Sequence, residues 1–272
     1  MQDFEFKTSE SSVSRIIKAL NIKNKTQKPK EKLNQRQKDN RILFCKNLLK
    51  NELYSFPFVF TDESMIALDP IKKKIKILPY IDNDEYFYEK SGYPLKIMIW
   101  GAIAKDFKSP LILIDGKLNS IKYIKMLEDN NIFHLLNKRF GNNGYVFQQD
   151  GASSHTAAIT INFLSQKVKL LKDVIKWPAN SPDLNVIEII WAIIKSRINI
   201  EKVENKKDLF EKVKQIWDEI PIETINLLID SFHSRIKTCI QLNGESLNGK
   251  KKVMKKFGIL TKKEINFLKI KS

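Results

Sequence analysis

The chain has 272 residues, of which 42% are hydrophobic and 29% charged, and its formal net charge is +17. The hydrophobic content is too high for a disordered chain, and the length allows one substantial core, alone or with a small module. Two cysteines and three histidines are too few for a disulfide scaffold, a cysteine zinc cluster or a histidine-rich metal site. All apolar runs are shorter than the roughly 18–20 residues of a membrane span, and we expect neither a secretory signal nor a membrane partner.

The first elements along the chain are a short helix and a linker. A helix is predicted over residues 11–20, where apolar residues recur at helical spacing. Its polar face carries Ser12, Ser14, Arg15 and Lys18. Residues 21–40 contain almost no apolar side chains, which predicts a basic linker.

The following 200 residues alternate between helical and strand-like patterns. Helices are predicted at 41–53, 119–137, 155–166, 186–198, 206–218 and 223–242. Strands are predicted at 56–64, 95–104, 110–116 and 145–150, with a brief run near Val174 and Ile175. This order indicates an α/β fold in which helices cover both faces of a sheet.

The positive charge is concentrated at the two ends of the sequence. Residues 1–50 contain 13 basic and five acidic side chains, and residues 250–272 contain nine basic and one acidic. The remaining 51–249 therefore carry a net charge of about +1. Basic ends suit a polyanion such as DNA, because each neutralised phosphate releases counterions. A general lysine bias with solvated tails explains the composition equally well.

Three acidic residues stand out by their position. Asp62 and Asp150 each follow a buried-strand pattern, and Glu188 lies near the start of the apolar helix 186–198. Carboxylates at the ends of core strands can converge on one sheet edge, where they suit hard cations such as Mg²⁺. Two other interpretations stay open: aspartate is common in turns, and Asn185 with Glu188 fits a helix capping box.

Several segments form a set that extends over much of the chain. They are VFTDES (59–64), KIMIWGAIA (96–104), IDGKLNSIKYIKMLEDN (114–130), QQDGASSHTA (148–157), WPANSPDLNVIEIIW (177–191) and LLIDSFHSRIKTCIQLNGESL (227–247). Together they resemble the mariner superfamily of DDE transposases, the group that includes the Tc elements. The resemblance covers roughly residues 8–249.

The resemblance implies a catalytic and metal-binding triad of Asp62, Asp150 and Glu188. It also implies Mg²⁺ or Mn²⁺ as cofactor, with two ions about 3.5–4 Å apart that stabilise the attacking and leaving oxygens of phosphoryl transfer. Asp183, in the SPDLN motif, is expected to be structural, in a loop that turns into the helix. The chain departs from the family at Ser153, where proline is frequent. It also has 37 residues between Asp150 and Glu188, a few more than well-known branches.

The resemblance further implies a fold and a reaction. The expected fold is a ribonuclease-H-like mixed sheet flanked by helices, over residues 41–249, followed by a basic tail at 250–272. The expected protein is a nuclear DNA transposase that acts as a homodimer on double-stranded DNA. It would hydrolyse a phosphodiester at the terminal inverted repeats and transfer the freed 3′-hydroxyl to target DNA, usually at a TA dinucleotide.

The N-terminal segment departs most from the family, which normally has two helix-turn-helix modules at this position. Residues 1–20 resemble only the recognition helix of the second module, so we expect a remnant of that module and an N-terminally truncated chain. In the parent arrangement Ser12, Ser14, Arg15 and Lys18 would face DNA, whereas without partner helices they are simply an exposed helix face.

Three further residues are candidates for DNA contact. His155 follows Asp150 closely and could contact a phosphate or orient a water, although a structural hydrogen bond near a helix start is the simpler reading. Lys195 and Arg197 either line a DNA path or belong to a solvated helix face. An alternative function is a domesticated or remnant transposase that binds DNA without transposing it. A cellular ribonuclease of the same fold would need neither the SPDLN motif nor a basic linker.

Overall fold

The computed structural model describes residues 33–51, 55–68, 95–142, 144–170, 176–198 and 203–247. Several predicted features lie outside these residues. They are the helix 11–20 with Ser12, Ser14, Arg15 and Lys18, residues 21–32 of the linker, the run near Val174 and Ile175, and the tail 250–272. Within the described residues, no helix is long and apolar enough to cross a membrane.

A six-stranded mixed sheet forms the centre of the fold. Its strands are β1 (Phe58–Leu68), β2 (Leu95–Ala104), β3 (Phe107–Lys108), β4 (Ile112–Ile114), β5 (Val146–Gln148) and β6 (Lys169–Leu170). The order is β3-β2-β1-β5-β6, and β4 also pairs with β2. β1 runs antiparallel to β2 and parallel to β5, which in turn runs parallel to β6. The two-residue strands β3 and β6 are too short to produce a sequence pattern.

Helices cover both faces of this sheet, as predicted. They are α1 (Gln35–Lys50), α2 (Ser120–Asp129), α3 (Ile132–Phe140), α4 (Ser153–Thr156), α5 (Ala158–Ser165), α6 (Ile187–Arg197), α7 (Lys206–Asp218) and α8 (Ile222–Gln241). Residues alternate between the two faces along each strand. Phe60 of β1 therefore packs in one core with α1, α6, α7 and α8, whereas Val59 packs in a second core with α2, α3 and α5.

Helix α1 begins earlier than predicted. It starts at Gln35 rather than residue 41, so residues 35–40 are helical and do not belong to a linker. The reason is a capping box that the polar composition concealed: Asn34 accepts a hydrogen bond from the backbone of Gln37, whose side chain accepts one from the backbone of Asn34. The boundaries of the predicted domains otherwise stay predictions.

The predicted helix 119–137 is interrupted. Asn131 adopts a left-handed conformation with φ of 51°, so that α2 ends at Asp129 and α3 starts at Ile132. In α2, Tyr123 and Leu127 are buried, whereas Ile121 is 66% exposed.

Asp183 is structural, as expected. Its carboxylate accepts two hydrogen bonds from Arg41 of α1, at 2.8 and 2.7 Å, and a third from the backbone N–H of Leu247 at 2.9 Å. Its backbone carbonyl accepts a hydrogen bond from Arg235 of α8. Removal of one partner from such a buried pair typically costs about 3–5 kcal/mol. Asp183 thus fixes the loop that leads into α6.

Candidate active site

The parallel pairing of β1 with β5 brings Asp62 close to Asp150. Phe60 is paired with Gln148, the last residue of β5, and each aspartate lies two residues further along its own segment. The hydroxyl of Thr61 also donates to the carbonyl of Gln148, at 2.8 Å. Because the two segments are in register and run in the same direction, the two aspartates meet at the edge where β5 ends.

Asp62 does not lie at a strand end, which corrects our expectation. Strand β1 continues to Leu68, and Asp62 is paired across the sheet with Gly101 of β2. The edge arises because β5 stops at Gln148 while β1 continues. Asp62 is half-buried and reaches the pocket beside the end of the short strand β5, not at the end of β1.

Glu188 is delivered by the first turn of α6. The N-cap of this helix is Val186, and no side-chain hydrogen bond caps it, so the capping box predicted from Asn185 is absent from this described helix. The backbone N–H of Glu188 donates to the carbonyl of Asn185 at 3.3 Å. The position of Glu188 is therefore set by the loop that Asp183 fixes.

One pocket of about 460 Å³ brings the three carboxylates together. Asp62, Asp150 and Glu188 all line it, although up to 126 residues separate them in sequence. The facing wall is the segment from Lys176 to Pro182, followed by Asn185. The predicted convergence of these residues is thus present, while their catalytic role stays a prediction.

Asp62 lies in an unfavourable setting for a charged group. Burial raises its pKa to about 8, and the negative charges of Glu188, Glu63 and Asp150 act in the same direction. The indole N–H of Trp191 donates to one of its oxygens at 3.2 Å and lowers the pKa only in part. The folded protein therefore favours the protonated form of Asp62 near neutral pH.

Two stacked tryptophans lie directly behind Asp62. The rings of Trp191 and Trp217 are stacked with centroids 5.4 Å apart. They fit because Gly101 has no side chain: a Cβ atom there would lie 2.8 Å from Trp217 and 2.9 Å from Trp191. Gly101 thus leaves the space that lets Trp191 reach Asp62.

The surroundings of Asp150, unlike those of Asp62, favour the charged form of the carboxylate. Its oxygen Oδ1 accepts hydrogen bonds from Nδ1 of His155, at 2.6 Å, and from the backbone N–H of Ala152, at 2.9 Å. The bond from His155 is the largest cause that lowers the pKa of Asp150. Its side chain is 48% exposed, so this carboxylate remains charged and open to solvent.

His155 is buried, with 2% exposure, and its hydrogen bond to Asp150 agrees with the simpler of its two predicted roles, whereas its contact with DNA stays a prediction. Its Nε2 lies 3.2 Å from a carboxylate oxygen of Glu63, and its ring packs on Tyr123 with centroids 4.5 Å apart. Burial lowers the pKa of His155, but the bonds to Asp150 and Glu63 outweigh it and raise the pKa to about 9. His155 is thus a cation between two carboxylates. Glu63 was missed by the sequence analysis, although it follows Asp62 directly.

The sequence of this domain matches a known family over this site. The DDE superfamily endonuclease family matches residues 57–210, which is more than half of the chain. The chain belongs to this family. Asp62, Asp150 and Glu188 all lie within the matched segment of this DDE endonuclease domain.

Curated relatives of the DDE endonuclease domain are transposases of the Tc group, which confirms the predicted resemblance. The Tcb1 transposase of Caenorhabditis briggsae is 31% identical over 149 residues, covering 54% of this chain and 52% of the relative. The Tc1 transposase of Caenorhabditis elegans is 30% identical over 152 residues with the same two coverages. The chain thus spans about half the length of the curated relatives it matches.

Solved structures confirm the predicted ribonuclease-H-like fold. The Mos1 transposase in a paired-end complex with the left transposon end has a TM-score of 0.70 at 19% identity, covering 89% of this chain and 73% of that one. The isolated catalytic domain of the Mos1 mariner transposase has a TM-score of 0.60 at 18% identity, covering 80% of this chain and 98% of that one.

The donor set of the DDE endonuclease site suits a hard cation. Three carboxylates line one pocket, and burial together with the negative charges of Glu188, Glu63 and Asp150 raises the pKa of Asp62. Among the described residues, however, no group of three or more His, Cys, Asp or Glu side chains is close enough to hold an ion. The residues fit a divalent metal, and binding requires them to draw together.

Lys195 and Arg197, at the C-terminal end of α6, differ in their surroundings. Lys195 is exposed and follows Glu188 by seven residues, so it lies on nearly the same helix face, about 10 Å further along the axis. Arg197 points to another face and lies 3.9 Å from Glu219. By helix geometry Lys195, rather than Arg197, lies on the Glu188 side of α6, although neither is among the residues that line the described pocket.

Proposed function

We propose that this DDE endonuclease domain is the catalytic part of a DNA transposase. It hydrolyses a phosphodiester bond at the ends of a transposon and so frees a 3′-hydroxyl. This hydroxyl then attacks a phosphodiester of the target DNA, forms a bond to the target's 5′-phosphate and releases a 3′-hydroxyl of the target strand. The observation that carries this proposal is the common pocket of Asp62, Asp150 and Glu188. The Tc-group transposases among the relatives support the same reaction.

The three carboxylates would hold Mg²⁺ or Mn²⁺, as two ions. When bound, the metal would supply Lewis acidity at the scissile phosphate. The protein positions the reacting groups: Asp62 and Asp150 are fixed by the register of β1 and β5, and Glu188 by the loop before α6. On the facing wall Lys176 offers a cation to a phosphate oxygen, and the pocket is wide enough for a phosphate with its sugar.

The partners follow from this reaction. We infer double-stranded DNA as substrate, both as terminal inverted repeats and as target, with TA as the target dinucleotide. A homodimer that holds two ends is in keeping with the paired-end complex formed by Mos1 transposase. Such a protein acts in the nucleus, where its chromosomal target lies. The basic segments 1–50 and 250–272 would add affinity for the phosphate backbone.

Lys195 is proposed to contact the DNA backbone near the pocket, since it is exposed on the Glu188 face of α6. Lys195→Ala should reduce the slope of log affinity against log salt by about 1, as expected for one lost phosphate contact. Arg197→Ala serves as the comparison, because its guanidinium lies near Glu219. An equal slope for both variants would remove Lys195 from the DNA path.

Nicking of supercoiled plasmid in Mn²⁺ tests the proposed function. The parent protein should nick the plasmid, and Asp62→Asn, Asp150→Asn and Glu188→Gln should each abolish nicking. Glu128→Gln, on the exposed face of α2, is the control and should nick like the parent. A parent protein that binds the plasmid without nicking it would instead indicate a remnant that only binds DNA.

A further inference from the structure

We propose that Glu63 and His155 form a positioning pair for Asp150, in which Glu63 sets the orientation of the Asp150 carboxylate through the imidazole between them. The inference rests on the proposed function, since it concerns how the same site prepares one carboxylate for a cation. Glu63 itself is a positioning residue, because it reaches Asp150 only through His155.

The strand β1 delivers Asp62 and Glu63 to different sides of the sheet. Consecutive side chains of a strand point to opposite faces. Asp62 faces the core that contains Trp191, and Glu63 faces the core that contains Tyr123 and His155. A single strand thus supplies one carboxylate to the pocket and a second to the layer behind it.

His155 is held at both ends of its ring. Nδ1 lies 2.6 Å from Asp150 Oδ1, and Nε2 lies 3.2 Å from Glu63 Oε1. Each ring nitrogen is thus within hydrogen-bond distance of a carboxylate oxygen. A ring held at both nitrogens cannot flip or tilt without breaking one of the two bonds.

Contacts with Tyr123 and Gln149 also hold His155 in place. Its ring lies against that of Tyr123 at an angle of 46°, and the Tyr123 hydroxyl donates to the side-chain oxygen of Gln149 at 3.0 Å. The amide nitrogen of Gln149 donates in turn to the backbone carbonyl of His155, at 3.1 Å. His155 is 2% exposed, and its side chain and backbone are therefore fixed independently.

The pair acts on one oxygen of Asp150. His155 and the backbone N–H of Ala152 both donate to Oδ1, from two directions. Two donors on one oxygen fix the plane of the carboxylate, which leaves Oδ2 as the oxygen offered to the pocket. The oriented oxygen is the one that a cation shared with Asp62 would use.

Loss of Glu63 should therefore weaken metal binding without removing a ligand. Groups that hold a ligand in place typically contribute 10- to 100-fold in metal affinity. We expect Glu63→Ala to lower the affinity for Mn²⁺ within this range, and Glu63→Gln, which keeps an acceptor for Nε2–H, to recover most of it. Glu211→Ala, an exposed glutamate of α7, is the matched control.

Mn²⁺ affinity is measured on the full chain from the electron paramagnetic resonance signal of the free ion, with melting temperatures recorded for each variant. A tenfold or larger loss for Glu63→Ala, recovered in Glu63→Gln and absent in Glu211→Ala, supports the pair. Equal affinity of Glu63→Ala and Glu211→Ala overturns it.

A second measurement needs no metal and separates this inference from the proposed function. Ring N–H signals of His155 are observed by ¹⁵N nuclear magnetic resonance in the parent, Glu63→Ala and Asp150→Asn. A shift of the Nδ1–H signal in Glu63→Ala shows that Glu63 acts on the bond to Asp150, even if the parent binds no Mn²⁺ and the proposed function fails. An unchanged Nδ1–H signal in Glu63→Ala contradicts the pair.

Discussion

Asp62 and Asp150 line the same pocket, yet the protein surrounds them with opposite environments. Asp62 lies within β1, near three other carboxylates, with a neutral indole as its donor, and its pKa is raised to about 8. Asp150 lies in the loop after β5 beside a buried cationic histidine, which lowers its pKa. The protein compensates the charge of Asp150, whereas the ionised form of Asp62 is unfavourable without a bound cation.

This difference indicates a division of tasks between the sheet and the loop. The sheet holds Asp62 where its ionised form is unfavourable. The loop holds Asp150 through hydrogen bonds that stabilise its negative charge. A site assembled in this way is ready for a positively charged ligand, because binding relieves the repulsion around Asp62.

The largest expected effect is on chemistry and should be the same for both residues. Asp62→Asn and Asp150→Asn should each reduce cleavage of DNA by several orders of magnitude, because each removes a charge that a hard cation needs. Initial rates of plasmid nicking in Mn²⁺ measure this. If one variant retained nearly full activity, the two aspartates would not serve one site.

In the presence of a chelator, the same two substitutions should have opposite effects on the free energy of unfolding. Asp62→Asn should raise the free energy of unfolding at pH 8, on the order of 2 kcal/mol, because it removes a carboxylate that burial and like charges destabilise. Asp150→Asn should lower it by about 1 kcal/mol, because the partly exposed pair with His155 is weakened. Urea unfolding at pH 8 measures both.

The pH dependence of the first effect has a definite sign. The pKa of Asp62 is raised from 3.8 to about 8 in the folded state, so the folded protein binds the proton more tightly than the unfolded chain. The contribution of Asp62 therefore destabilises the fold increasingly as the pH rises from near 4 to near 8. The gain from Asp62→Asn should shrink at pH 5, and a gain independent of pH would contradict the raised pKa.

A smaller effect on stability is expected when the space behind Asp62 is filled. Gly101→Ala places a Cβ within 2.9 Å of two tryptophan rings, which should cost about 1–3 kcal/mol and displace Trp191 from Asp62. Gly151→Ala is the matched control next to Asp150, since a Cβ there meets nothing within 4 Å. Thermal melting and tryptophan fluorescence check both, and equal stability of the two variants would show that the tryptophans can move aside.

Much of this fold could be predicted from hydrophobic periodicity. The strand at 95–104 and the helix at 206–218 have the predicted limits, because the first is a nearly continuous apolar run and the second keeps one helical period from end to end. The start of α1 and the break at Asn131 were missed, since they depend on a capping box and a left-handed residue within polar or helical sequence.

The site was predicted unevenly for a similar reason. The three pocket carboxylates could be named from their motifs, because each follows a recognisable pattern. The alignment of Asp62 with Asp150 depends on the pairing of β1 with β5. The hydrogen bond between Glu63 and His155 joins residues that are 92 positions apart. Such contacts have no local signal, so Glu63 was missed, and the structural hydrogen bond expected for His155 could not be assigned to a partner.

A crystal of the chain soaked in Mn²⁺ tests the central claim most directly. The anomalous signal of manganese locates the ion without reference to the protein atoms. The account predicts a peak in the pocket, within ligand distance of both Asp62 and Asp150, with Glu188 drawn towards it. A soaked crystal with no peak at these residues, or with a peak at another cluster of acidic side chains, would contradict the assignment of this pocket as the active site.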